Sequence, residues 1–153
     1  MSKEMPAKKI VRTKSAPKLV LALGMVLVGA GLIVFGLRGV LEDKVYIKAP
    51  KMLIQAEVAD DEAERTLGLS GRSSLSAGRA ILFVFDKPGI HGIWMKDMKF
   101  DLDIIWLDEN RRIVWFEDNV RADSFPQVFS SADPAIYVLE IPAGAREKLG
   151  WNI

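Results

Sequence analysis

Cysteine is missing from this chain of 153 residues, and histidine occurs once, as His91. Without cysteine the chain can form no disulfide framework, no thiolate metal site and no lipid-modified N-terminal cysteine. A lone histidine with no second ligand at a recognisable spacing favours neither a metal centre nor a Ser-His-Asp triad. A glycine-rich phosphate loop and a nucleophile elbow are also missing. The sequence therefore predicts no metal, no cofactor and no catalytic residue, and it leaves enzymatic activity open.

A strong charge of either sign is also lacking, because the net charge of +1 combines two regions of opposite sign. Residues 1–18 hold six Lys and Arg against Glu4 alone, a net charge of +5. Residues 38–153 hold fifteen Lys and Arg against nineteen Asp and Glu, a net charge of −4. Proteins that bind nucleic acid need Lys and Arg clustered on the folded domain to contact phosphates. The acidic body therefore argues against a nucleic-acid partner.

The basic N-terminus precedes a long apolar run, LVLALGMVLVGAGLIVFGL, at residues 19–37. As a helix this run would span ~28 Å, close to the hydrocarbon thickness of a bilayer. The run is longer than the apolar core of a cleaved signal peptide, and no small-x-small cleavage site follows it, so a retained signal anchor is the favoured interpretation. The excess of cations before the run favours a cytoplasmic N-terminus. We therefore expect a single-pass protein of the inner (cytoplasmic) membrane, with an extracytoplasmic domain and the lipid bilayer as a partner.

Four segments follow from these patterns: a basic cytoplasmic tail at 1–18, the transmembrane helix at 19–37, a tether at 38–50 and the folded domain at 51–153. Alternating apolar residues predict a strand at 51–59, and the largely apolar segment AIYVLEIP predicts another at 135–142. A short apolar run predicts another strand at 81–85, which ends in a DKPG turn.

Helix signals in the domain are few and short. Asp61 and Glu64 have the spacing of a capping box, and Gly68 favours an early helix end. The segment AGAREKLG, 143–150, predicts a second short helix. Many short strands with one or two helices predict a mostly β domain of the α+β class. Its antiparallel or mixed sheet is expected to be rolled or barrel-like.

Four sequence motifs point to one family. They are ERTLGLSGR with Glu64, Arg65, Gly68, Leu69 and Arg72; WMK with Trp94, Met95 and Lys96; DLDI, 101–104; and YVLEIPAG, 137–144. In these motifs the chain resembles the bacterial and archaeal family known as domain of unknown function 192, over about residues 53–150. The resemblance implies a compact β-rich domain, often behind a signal or anchor, with no assigned activity. Asp101 stands where members usually have proline, which adds a carboxylate next to Asp103.

The segment IWMKDMKFDLDIIWLD, 93–108, is the strongest candidate for a site. Asp101 and Asp103 lie on one face of a predicted strand, because side chains alternate along a strand. In one interpretation they form a polar pocket with Lys96 that Trp94 covers. Close carboxylates there could share a proton or hold a cation, and the lysine could bind an anionic ligand. In the other, which we favour, Lys96 and Asp103 form an ion pair and Asp101 is solvated.

Two functions remain open. The first is a membrane-tethered binding or accessory module that recognises an envelope component or a partner protein through Arg72, Trp94, Lys96 and Asp103. Arg72 is included because a guanidinium group can clamp a carboxylate or phosphate, although internal pairing with Glu62, Glu64 or Asp61 is its default. The alternative is a small hydrolase or lyase that uses Asp101 and Asp103 as acid and base. We favour the binding module because the sequence offers so few catalytic groups.

Overall fold

The structure is a computed structural model that describes residues 44–151. The predicted basic tail and transmembrane helix, and the first residues of the predicted tether, lie outside this range. Neither α-helix within it has the length and apolar character needed to cross a bilayer.

Strands dominate the described residues. The strands are β1 (Lys44–Lys48), β2 (Leu53–Ala59), β3 (Arg79–Gly89), β4 (Ile93–Trp94), β5 (Leu102–Leu107), β6 (Ile113–Val120), β7 (Val128–Phe129) and β8 (Ala135–Pro142). The helices are α1 (Glu62–Leu67) and α2 (Ala145–Leu149), with a 3-10 turn at Ala122–Ser124. Six strands form one sheet in the order β1-β2-β3-β8-β5-β6, while β4 and β7 form a separate ribbon. Only the β2–β3 pairing within the described sheet is parallel.

These elements confirm a mostly β domain with two short helices. The sheet is open and mixed, however, rather than closed into a barrel. Closure would require β1 and β6 to pair, whereas each of them has one neighbour at an edge of the sheet.

Two boundaries differ from the sequence predictions. Lys44–Lys48 lie in the predicted tether but form β1, because Val45 and Ile47 alternate with exposed residues and are buried against β2. The DKPG segment does not reverse the chain, since β3 continues through it to Gly89. Its pairing with β8 shifts between Val84 and Gly89. Such an irregularity tolerates Pro88, which cannot donate a ladder hydrogen bond.

Both faces of the sheet are buried, and β5 shows why. Its alternating side chains divide between two hydrophobic cores. Ile105 and Leu107 pack on the face that α2 covers, together with Trp151. On the opposite face lie Leu102, Ile104 and Trp106, with Leu69 and Met95. Burial of one such side chain contributes roughly 1.5–3 kcal/mol. The predicted alternation of this strand is therefore confirmed.

The position of α1 is fixed at both of its ends. Asp61 caps the first turn by accepting a hydrogen bond from the Glu64 N–H at 2.8 Å. The Glu64 carboxylate in turn accepts a hydrogen bond from the N–H of Asp60, rather than from that of Asp61, at 3.2 Å. The helix ends at Gly68, whose φ of 48° favours glycine. An added Cβ there would lie 3.3 Å from the Phe83 ring, so the end of α1 packs directly on β3.

Candidate binding cleft

Asp103 lies in the middle of the fold and is 1% exposed. Its Oδ1 accepts hydrogen bonds from the N–H groups of Asn119 at 2.9 Å and Gly144 at 3.0 Å, and its Oδ2 accepts from the Arg146 N–H at 2.9 Å. Three backbone donors therefore satisfy this buried charge. Asp103 joins β5 to the end of β6 and to the start of α2.

Arg146 strengthens the same junction through its side chain. Its guanidinium group forms two hydrogen bonds with Asp118, each at 2.6 Å, and lies 3.8 Å from the centre of the Phe116 ring. The Asp118 carboxylate raises the pKa of Arg146 above its ordinary value. This arrangement has the geometry of a structural cluster, because its charged groups are paired with one another or with backbone N–H groups.

Asp101 and Lys96 do not join Asp103 in a pocket. The exposed Asp101 accepts a hydrogen bond from the Ala122 N–H at 2.8 Å. The expected ion pair between Lys96 and Asp103 is not formed in the described part of the chain. Lys96 is exposed near α1, where its carbonyl group accepts a hydrogen bond from the Ser70 hydroxyl at 2.9 Å.

The two arginines of the ERTLGLSGR motif have different environments. Arg72 forms two hydrogen bonds with the Glu57 carboxylate, at 3.0 and 2.6 Å. These bonds hold the pKa of Glu57 below its ordinary value. Arg65 instead donates through Nη1 to the carbonyl groups of Asp60 at 2.5 Å and Val84 at 2.9 Å. Arg72 is thus paired within the chain, but with Glu57 of β2 rather than with Glu62, Glu64 or Asp61. Arg65 fixes α1 to β3.

A cleft separates α1 from the segment 92–98, and we call it the α1 cleft. Its volume is about 210 Å³. The residues that line it include Arg65, Thr66, Leu67, Phe83, Phe85, Ile93, Trp94, Met98 and Glu140. A wider depression continues from its mouth to Lys96 and Asp97. Of the four predicted site residues, Trp94 and Lys96 border this region, whereas Arg72 and Asp103 do not.

Trp94 gives the mouth of the cleft an exposed aromatic surface. Its side chain is 47% exposed, and the ribbon pairs it with Val128. Leu67 of α1 is 63% exposed on the same cleft. Apolar side chains that remain wet at a concave surface gain free energy when a ligand covers them.

Glu140 lines the α1 cleft from β8 and is 4% exposed. Its strand neighbours in the sheet are Ile81 of β3 and Ile104 of β5. No group within residues 44–151 forms a hydrogen bond or an ion pair with its carboxyl group. Burial raises the pKa of this carboxyl group to about 8. Glu140 is therefore a predominantly protonated acid at neutral pH.

Comparison with known proteins agrees with this architecture. Residues 45–153 match a protein family described as an uncharacterized ACR, DUF192. The chain belongs to the DUF192 family. The match begins at Val45, inside β1, so this edge strand is part of the DUF192 domain rather than of a tether. No curated protein matches the chain.

Two solved structures are similar to the DUF192 domain. A Sinorhizobium meliloti 1021 protein, described as a candidate transcription regulator, has a TM-score of 0.66 and 26% identity, covering 71% of this chain and 86% of its own. A Novosphingobium aromaticivorans DSM 12444 protein of unknown function has a TM-score of 0.65 and 26% identity, covering 80% of this chain and 89% of its own. These likenesses support the fold described above.

The sequence analysis did not select Glu140, although a signal for it exists. Within the strand AIYVLEIP it is the single charged residue, and it shares a face with the buried Val138. A lone carboxyl group at a core-facing position of a strand is unusual, because burial of an ionised group is costly. In this DUF192 chain that position also falls in the YVLE motif.

Proposed function

We propose that this DUF192 protein is a membrane-tethered binding or accessory module that recognises an envelope component or a partner protein through the α1 cleft. The observation that carries the proposal is the unpaired, buried Glu140 in a cleft with an exposed tryptophan at its mouth. A concave apolar site with a few polar groups is typical of ligand binding.

The size of the cleft limits what it accepts. A volume of about 210 Å³ lies below the range of roughly 300–1,000 Å³ that is usual for sites of drug-sized ligands. A small molecule, or one group of a larger molecule, fits this volume. The charged residues Lys96 and Asp97 in the adjoining depression offer contacts to the remainder of a larger ligand.

Three probes of one shape test the binding proposal: benzamide, the benzamidinium cation and the benzoate anion. We expect at least one of them to shift the NMR signals of Thr66 and Trp94 in the full chain. Trp94→Ala should weaken that binding about tenfold, because stacking on an aromatic side chain contributes about 1–3 kcal/mol. The measurement is a chemical-shift titration.

Trp115 supplies the matched control for that titration. It is 40% exposed and does not line the cleft. Trp115→Ala should therefore leave the affinity of the probe unchanged. If none of the three probes shifts the cleft signals, or if the signals of Trp115 move instead, the cleft is not the binding site.

The tether is a separate part of the proposal and rests on the apolar run at residues 19–37 and the basic residues before it. A reporter enzyme that is active only outside the cytoplasm, fused after Ile153, should be active. The same reporter fused before residue 19 should be inactive. Activity of the N-terminal fusion alone would reverse the proposed orientation.

Binding to nucleic acid is not part of this proposal, although one similar structure is described as a candidate transcription regulator. Residues 38–153 have a net charge of −4, whereas contacts to phosphates need clustered cations. The hydrolase alternative also lacks support, because Asp101 and Asp103 accept hydrogen bonds from different parts of the backbone.

A further inference from the structure

The domain buries two carboxyl groups in contrasting ways. Asp103 accepts three backbone hydrogen bonds, as expected for a buried charge that stabilises a fold. Glu140 is equally buried but has no such partner among the described residues. Its carboxyl oxygens are nevertheless not among the fully enclosed side-chain atoms without a hydrogen-bond partner, which in the described residues are Ser124 Oγ and Trp151 Nε1, so they are open to the cleft. The fold therefore gains nothing evident from Glu140, and its partner is to be sought in the cleft.

The surroundings of Glu140 determine the chemistry of that partner. Apolar side chains dominate the nearby walls, including Phe83, Ile93 and Met98. The titratable groups that line the same cleft are Glu62 and Arg65, both on α1.

Acidic groups on β2 and β6 lie farther away, two strands from β8. The isoleucines that flank Glu140 on β3 and β5 pair in turn with Glu57 and Glu117. Each of these glutamates is therefore two strands away from Glu140. Desolvation is the cause that raises the pKa of Glu140, so none of these charges dominates it.

We propose that the Glu140 carboxyl group recognises the uncharged carboxamide of a small molecule that enters the α1 cleft. This inference rests on the proposed function of the cleft and specifies its ligand class. A carboxylic acid and a carboxamide each present one donor and one acceptor, so together they form two parallel hydrogen bonds. Both groups remain uncharged, which suits an apolar site.

Charged ligands fit these surroundings less well. An anion such as a carboxylate would be desolvated against apolar walls, and it would lose a donor from Glu140 once that group ionised. A cation would share the cleft with the guanidinium group of Arg65, which already lies 5.4 Å from the centre of the Phe85 ring. A carboxamide carries no charge, so neither effect disfavours its binding.

Benzamide, benzamidinium and benzoate distinguish these three classes because they share a planar shape and differ in charge. The full chain is titrated with each probe at about pH 6.5 and about pH 9.5, on either side of the Glu140 pKa of about 8. Benzamide should bind most tightly at the lower pH. Its affinity should fall about tenfold at the higher pH, as ionisation removes the donor.

Substitutions at Glu140 test the role of the carboxyl group itself. Glu140→Gln keeps one donor and one acceptor, so benzamide binding should persist and lose its dependence on pH. Glu140→Leu removes both groups and should weaken benzamide binding about tenfold or more. The control Glu147→Gln, at an exposed position of α2, should behave as the unchanged protein.

Failure of this inference differs from failure of the proposed function. If benzamidinium or benzoate is the tightest probe, or if Glu140→Leu binds benzamide unchanged, the carboxamide inference is overturned while the cleft remains a binding site. If no probe shifts the cleft signals, both the carboxamide inference and the proposed function of the cleft are contradicted. Correct folding of each variant is checked by the signal of the buried Trp106 indole, which donates to the His91 carbonyl group at 2.9 Å.

Discussion

Asp103→Ala is expected to lower the free energy of unfolding by about 3–5 kcal/mol. The substitution removes one acceptor from three backbone N–H groups, those of Asn119, Gly144 and Arg146. Each loses a charge-assisted hydrogen bond in a part-buried position. Urea unfolding of the full chain, followed by tryptophan fluorescence, measures the change.

Two further variants separate the contribution of the hydrogen bonds from that of the carboxylate charge. Asp103→Asn retains one oxygen acceptor but replaces the other with a donor, so about half of the loss should remain. Asp101→Ala removes an exposed carboxylate with one backbone hydrogen bond and should cost less than about 1 kcal/mol. Equal effects of the Asp101 and Asp103 substitutions would contradict the structural role of Asp103.

Glu140 should make the domain less stable as the pH rises. Its pKa is about 8 in the folded protein against an ordinary value of 4.5. Between these values the folded state holds a proton that the unfolded state has released, so stability falls with pH. The stabilisation that Glu140 provides is complete below about pH 4.5. It is lost as the pH rises from there to about pH 8. The total change is about 4–5 kcal/mol, since one pKa unit corresponds to about 1.4 kcal/mol.

The measurement compares the full chain with Glu140→Gln by chemical denaturation at several pH values. Other titrating groups are the same in both proteins, so their contributions cancel in the difference between the two curves. That difference should grow steadily between about pH 5 and about pH 8 and then level off. A constant difference across this range would show that Glu140 ionises normally.

The sequence predicted the fold best where a local pattern acts alone. The largely apolar segment AIYVLEIP predicted the bounds of β8, Ala135–Pro142, and local helix signals predicted α1 and α2. The DKPG segment misled because proline and glycine favour a turn locally, whereas pairing of Gly89 with Ala135 continues β3. Local patterns also could not predict that the sheet is open, because this depends on which strands, distant in the sequence, become neighbours.

The candidate site shows the same limit. Trp94 and Lys96 were predicted from their motif and do border the α1 cleft. Asp103 was grouped with them because it is close in sequence. Its hydrogen-bond partners are instead the backbone N–H groups of Asn119, Gly144 and Arg146. Glu140 lies far from Trp94 in the sequence, and they meet at one cleft because β8 of the sheet and β4 of the ribbon both border it.

The central place of β8 has a consequence for how the domain assembles. This strand comes after every other strand in the described chain, yet it separates β3 from β5 in the sheet. The β1-β2-β3 and β5-β6 groups therefore stay apart until the C-terminal part of the chain has emerged. Such non-local pairing slows folding, because a long loop must close before the contacts form. The sheet and the floor of its cleft are completed together, when β8 pairs with β3 and β5.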